Sequence, residues 1–517
     1  MEENDTNLST TWMLVYTAIA LFIINQIYNL THFWRRGIKG PMPFPFIGNY
    51  PSFAAGFVPT LEKWEKKYGQ VYGIFVGRQP VLMISDADLA KQILVKQFSS
   101  FYSTKESEFK IRYLSDSLQA LEGDAWKRTR SYVSPAFSTS KMKQMIPAIN
   151  TCCDRMLTIM QKKIDNQESF ETKPVFGSYV LDVIASCAFG INTDCQTNPD
   201  EPFLKHTKQL FSIKLTNPAF LIMIFAPFMA PIFNLFDVSF LPDDSLEFFA
   251  NIARKSVQLR KEGGAADHKD LLQLMLDAAE TGGSEEEEVT ETRRTPGEVK
   301  SKRKKIPLTH KDIISQSLIF FFAGYETVST TLSFVAYAIA THPQVQEKLQ
   351  EEIDKILKDD EPVSYEMISK MEYLDKVWCE AMRRYTSPTV IKRRCTDDFN
   401  HNGVRISKGQ MVYIDKHAIH RNPLYWPNPL DFDPERFSRE AKETHHPCAN
   451  LAFGAGPRNC VGMRFAILEA KFGLVRILQR YKLEVASETD DLSDTSNWGK
   501  STVYPAKGIH LKASPRT

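Results

Sequence analysis

Between Phe453 and Ala466 the chain reads FGAGPRNCVGMRFA, a single thiol set in a glycine-framed loop. Gly454, Gly456 and Gly462 allow tight backbone geometry and close approach to a large flat ligand. A helical pattern (MRFAILEAKFGLVRIL) follows at once. Cys460 is therefore predicted at a loop-to-helix junction, with the first helix amides pointing at its sulfur. That setting favours a thiolate, which is a nucleophile or a metal ligand. A lone buried cysteine is more often just a small hydrophobe, so its neighbours have to decide.

A second candidate is Ala323-Gly324-Tyr325-Glu326-Thr327, an acid beside a hydroxyl in an otherwise apolar stretch. Thr309 and Asp312 resemble a capping box at the start of a long helix, and apolar residues run from Ile313 to Ala340. Burying an acid and a hydroxyl there is costly without a purpose. A mid-helix threonine can also bond back to a carbonyl and open the helix locally. Taken alone, the pair reads as a capping-type threonine and a surface glutamate. Two further spacings matter only in company. Glu380 and Arg383 stand three apart on one helix face, and Trp126 precedes Arg130 by one helical turn.

These residues need a large scaffold. The 517 residues allow roughly three domains or one large α-rich body. Hydrophobic residues make up 43% and charged residues 24%, which excludes a wholly disordered chain and a polytopic membrane protein. A net charge of +2 excludes a nucleic-acid reading based on bulk charge. The eight cysteines contain no CxxC pair and are too sparse for a disulfide scaffold, which points to free thiols in a reducing compartment. Helical periodicity dominates from about residue 60, with strand-like runs near Val71–Ile84 and Val390–Ile414. The predicted fold class is mainly α with a small β-sheet portion.

The N-terminus adds a membrane element. Thr11–Tyr28 is apolar apart from Asn25 and Gln26, long enough for one tilted span. Glu2, Glu3 and Asp5 precede it and Arg35, Arg36 and Lys39 follow, which predicts a cytosolic catalytic part. A cleaved signal peptide would carry its positive charges before the apolar run. Residues 1–34 thus read as an anchor, 35–50 as a basic and proline-rich strut, and 51–517 as the catalytic domain. Asn4 and Asn7 open glycosylation sequons on the lumenal side. The uncharged stretch 215–236 is long enough for a second span, but Pro218, Pro227 and Pro231 argue for a broken apolar surface at the interface or over a pocket. Residues 280–305 carry an acidic run and then KSKRKK, and read as a flexible charged insert.

Phe453, Gly456, Arg458, Cys460 and Gly462 match F-x-x-G-x-R-x-C-x-G, and with them the chain resembles the cytochrome P450 family. GPRNCVGMRFA, AGYET and PERFS make it similar to the microsomal branch with the steroid- and drug-oxidising enzymes and thromboxane synthase. The resemblance implies haem b, with Cys460 as the axial metal ligand. Trp126, Arg130, Arg393, Phe453 and Arg458 would be cofactor-binding residues, and Glu326 and Thr327 would deliver protons. Val328 departs from the family's usual Thr or Ser, with Ser329 next. Glu380, Arg383 and Arg436 would form a buried structural ion network. The implied activity is insertion of one oxygen atom from O2 into an apolar small molecule at the endoplasmic reticulum membrane, by a single-pass protein. Electrons would come from NADPH through NADPH-cytochrome P450 reductase, with cytochrome b5 as a second donor. Lys127, Arg128, Lys141 and Lys143 are candidates for the basic docking face. The pocket would draw on residues near 105–120, 205–240 and 387–391. Two other activities share the loop: a haem-thiolate isomerase acting on a hydroperoxide, and a non-catalytic haem sensor or carrier.

Overall fold

The structure is a computed structural model that describes residues 2–105, 108–212, 217–262, 270–280, 307–358, 361–499 and 504–516. Seven helices and four strands frame the site. In chain order they are α1 (Glu2–Leu30), α2 (Phe57–Tyr68), β1 (Val71–Val76), β2 (Gln79–Ile84), α3 (Gly123–Val133), α4 (Thr172–Phe189), α5 (His310–Ala340), α6 (Glu372–Arg384), β3 (Val390–Arg394), β4 (Met411–Asp415) and α7 (Met463–Arg480).

Helix α5 is the axis of the core. Its start is closed by the predicted capping box: the Asp312 amide donates to Thr309 Oγ1 at 3.1 Å, and the Thr309 amide donates to the Asp312 carboxylate at 2.9 Å. It is apolar and long enough to cross a membrane, yet it lies mostly inside the protein. Small residues set its crossing with α4. A Cβ on Gly324 would come within 2.8 Å of Ile184 Cδ1, so Gly324 serves close packing of two helices.

Both predicted strand regions form one sheet of order β1-β2-β4-β3. The β1–β2 and β3–β4 pairs are antiparallel and the β2–β4 pair is parallel. A second sheet joins Phe170–Glu171, His510–Pro515 and Tyr481–Val485. Its strands are short and pair across long sequence separations, so the pattern alone did not announce them.

The N-terminal helix runs from Glu2, earlier than the apolar stretch begins, and its Trp12–Leu30 part is a candidate span. The following strut is tied to the sheet rather than free. Gly73 donates its amide to Lys39 O at 2.9 Å, and Phe75 and Asn49 exchange bonds of 2.7 and 2.8 Å. Phe33 is buried with its ring edge-on to Phe75. The 215–236 stretch is broken as its prolines demand, into Pro218–Phe225 and Pro227–Leu235 bent by 107°. The charged insert at 280–305 lies, beyond Glu280, outside the described residues.

Candidate functional site

The thiol loop is shaped by close backbone approach. Gly456 sits at φ 72°, where a Cβ would overlap the Leu94 carbonyl oxygen. Within the loop the Cys460 amide donates to Phe453 O at 2.9 Å and the Asn459 amide to Gly456 O at 3.0 Å. Helix α7 starts three residues on, as the junction reading predicts. The sulfur is accessible, but into a cavity of about 220 Å³ that Phe453, Gly454, Thr327, Val328 and Lys416 also line. Burial raises the thiol's pKa, while the Gly462 amide and the charges of Arg130 and Lys416 pull it down. Burial wins, so the helix start by itself does not make a thiolate. A metal cation held by the sulfur would supply the missing charge.

A second cavity of about 220 Å³ is lined by Trp126, Arg130, Arg393 and Arg458, with Ala323 of α5 on one wall. Arg130 donates to Asn459 O at 2.9 Å and to its side-chain oxygen at 3.0 Å. Arg458 lies over the Trp126 ring, 4.7 Å from its centroid, and donates to the Leu121 carbonyl. Arg393 is buried and donates to its neighbour's carbonyl, Lys392 O, at 2.8 Å. None of the three makes an ion pair among the described residues, and the Nε atoms of Arg393 and Arg458 are buried without partners. Burial lowers Arg393 to about 10, helped by the Arg458 charge. Burial likewise takes Arg458 to about 10, with Glu122 opposing and Arg130 assisting. Three guanidiniums lining one cavity without an ion pair among the described residues are a site for an acidic ligand.

On α5, Thr327 reaches the thiol cavity and its hydroxyl donates to Ala323 O at 2.6 Å. The back-bond is the one predicted, but the helix continues unbroken through it. Glu326 faces a different space and bonds Lys173 of α4 at 2.5 Å. Lys173 also lies over the Tyr504 ring at 4.7 Å. Neither Lys173 nor Lys416 was singled out from sequence. The charged pair Asp415-Lys416 directly after the apolar run MVYI was the available signal for Lys416.

Glu326 lines a larger cavity, of about 690 Å³. Its wall includes the expected Ser387–Val390 segment and Ile224, but also Tyr50, Phe53 and Phe57, which lie outside the predicted ranges. Of residues 105–120, Leu118 and Gln119 line the arginine cavity instead. Ser387 and Pro388 border both the large cavity and the thiol cavity.

The structural network forms as expected. Glu380 and Arg383 are fully buried and joined by two bonds of 2.7 Å, and Arg436 Nε stands 3.5 Å from Glu380. The basic face is smaller than sequence suggested. Arg128 turns inward to Asp312 at 3.1 Å, holding the α5 cap, and Lys143 pairs with Glu366. Among the described residues Lys127 pairs with Asp124 alone, at 4.0 Å.

A thiol opening into one cavity along α5, with three guanidiniums and an indole lining a second cavity along the same helix, suits a flat group bearing a thiophilic metal and two carboxylates. The fold and site therefore define a haem-thiolate protein. The sequence profile described as Cytochrome P450 matches residues 38–513. The chain is 37% identical over 507 residues to cytochrome P450 3A56 of Fundulus heteroclitus, covering 98% of each. It is 36% identical to cytochrome P450 3A29 of Sus scrofa and to cytochrome P450 3A13 of Mus musculus, over 98% of this chain and 97% of either relative. The chain belongs to the cytochrome P450 family. It is an oxidoreductase of the monooxygenase type, and its cofactor is haem with a cysteine thiolate as axial ligand.

Proposed function

We propose that the protein is an endoplasmic-reticulum monooxygenase that oxidises an apolar small molecule, a steroid, lipid or xenobiotic. The observation that carries the site is the pairing of the Cys460 cavity with the arginine cavity along one face of α5. Cys460 would hold the haem iron through its sulfur, and Arg130, Arg393 and Arg458, with Trp126, would hold the two propionates by charge-assisted hydrogen bonds. Phe453 covers the sulfur side and accepts the Cys460 amide, which sets the thiol's direction. Bound there, haem supplies O2 activation and oxygen transfer.

The chain's own residues position substrate and move protons. The large cavity, walled by Tyr50, Phe53, Phe57 and Tyr413, takes the apolar substrate and excludes water. Glu326 faces that cavity and Thr327 the thiol cavity, so the pair can pass a proton from one to the other. Lys173 holds the Glu326 carboxylate in place.

Residues 1–34 anchor the chain with a single span, 35–50 form the strut and 51–517 the cytosolic catalytic domain. Phe228, Ile232, Leu235 and Phe236 are exposed on the bent helices whose Ile224 lines the large cavity, which suits entry of substrate from the lipid side. NADPH-cytochrome P450 reductase is the electron donor, with cytochrome b5 as a second partner, at a basic face that keeps Lys127 and Lys141.

The test is the reduced carbon-monoxide spectrum of the purified full chain, followed by steroid, fatty-acid and drug-like ligands read by the shift of the haem band. Cys460→Ala should lose the thiolate-type spectrum and Cys448→Ala should keep it. Turnover is then measured with reductase and NADPH. Product from a hydroperoxide without NADPH, and none with reductase, overturns the proposal.

A further inference from the structure

Lys416 follows strand β4 directly and is 3% exposed, so its ammonium is an interior charge. Interior cations are paired unless a function keeps them otherwise. Lys416 makes no ion pair among the described residues, and its one hydrogen bond is a long one, 3.3 Å to Ala452 O. Asp415, beside it in sequence, points elsewhere: its carboxylate caps the next short helix by accepting from the Ala418 amide at 3.0 Å. The Lys416 side chain lines the cavity into which the Cys460 sulfur opens, together with Phe453 and Thr327. Burial lowers the Lys416 pKa to about 8, against the pull of Cys460, and the ammonium and the sulfur share the wall of this one cavity.

We propose that Lys416 is a positioning residue for charge: its ammonium stands as the fixed counter-ion of the haem-thiolate centre and raises the reduction potential of the iron. This rests on Cys460 being the axial ligand. One-electron reduction makes the centre more negative by one charge, the electron coming from the reductase. A fixed cation in a low-dielectric cavity stabilises the reduced state more than the oxidised one. The arginines at the other cavity would face the haem carboxylates, which would largely offset their charge. Lys416 has no carboxylate to offset it, and its effect falls on the iron and sulfur.

The experiment is spectroelectrochemical titration of the haem-loaded full chain against Lys416→Met, Lys416→Gln and Lys416→Arg, with the carbon-monoxide spectrum recorded for each. Lys416→Met keeps length and removes charge, and should lower the ferrous-to-ferric ratio at fixed potential about tenfold, a fall of about 59 mV. Lys416→Gln should do the same and Lys416→Arg should stay close to the parent. An unchanged potential in the neutral variants overturns the proposal, as does an equal shift in all three. An unchanged potential with weakened binding of carboxylate-bearing ligands would make Lys416 a substrate anchor instead, and also overturns it. If only Lys416→Arg keeps haem, the charge serves binding and the potential claim falls. A parent without the thiolate-type spectrum would instead defeat the Cys460 assignment, so the two failures are told apart.

Discussion

Glu326 and Thr327 are adjacent in the chain yet face different cavities: Glu326 pairs with Lys173 at 2.5 Å beside the large apolar space, and Thr327 turns to the thiol cavity. A helix advances about 100° per residue, so neighbours on α5 necessarily look in different directions. The pair therefore joins two compartments that share the Ser387–Pro388 wall.

Thr327→Ala should keep haem and substrate binding but lose coupling, with NADPH consumed and oxygen released as hydrogen peroxide. Loss of a positioned proton donor costs ~10²–10⁴-fold in the assisted step. Ser329 offers no rescue, because it is fully buried and lines neither the thiol cavity nor the large one. The ratio of product to NADPH decides it. An unchanged ratio would show that the path does not use this hydroxyl.

Arg383→Leu should destabilise the protein by about 3–5 kcal/mol, because it strands the fully buried Glu380 carboxylate. Arg383 also donates to His420 O at 2.7 Å and Pro429 O at 2.9 Å, so the loss reaches the segment leading to the thiol loop. Thermal unfolding and haem retention are the readouts. Arg436→Leu should cost less, since its contact is 3.5 Å and its side chain is only partly enclosed.

His417 sets an acid limit. Burial lowers its pKa to about 4, with the Arg421 charge assisting and Glu62 opposing. Burial pushes Glu62 upward, but the bond from His417, the Thr495 hydroxyl and the Arg421 charge outweigh it and leave it at about 2. Neutral His417 donates Nε2–H to Glu62 at 2.8 Å. A histidine whose folded pKa is depressed contributes stability that is complete above its unfolded value near 6.5 and is lost as pH falls toward about 4. Glu62 adds a loss only below about 4.5, down to about 2. The unfolding temperature should therefore fall between pH 6.5 and 4, and His417→Gln should flatten that fall. An unchanged slope would reject the assignment.

Deleting residues 2–30 should leave haem binding intact and leave part of the protein on lipid vesicles. The remaining contact is the exposed Phe228, Ile232, Leu235 and Phe236. Adding Phe228→Asp and Leu235→Asp should release it in a flotation assay. Retention after both changes would point to another membrane contact.

Local signals were enough for much of this protein. The glycine-framed Cys460 loop, the Thr309–Asp312 cap, the prolines that break 215–236 and the two strand regions of the first sheet are all short-range features, and each formed where its residues predicted. Partnerships were a different matter. Nothing local ties Lys173 to Glu326, turns Arg128 toward Asp312 instead of solvent, brings Tyr50 and Phe57 to the large cavity or places Lys416 beside Cys460. Those contacts join segments far apart in the chain, and a residue's type says only that a charge needs a partner or that an apolar surface needs cover. Which partner it finds is decided by how α4, α5 and the sheet pack, because burial makes the wrong choice cost several kcal/mol. The thiol shows the same division: a helix start in sequence suggests a thiolate, but the enclosure built by the whole fold raises its pKa, so that its ionisation would depend on the metal it is proposed to hold.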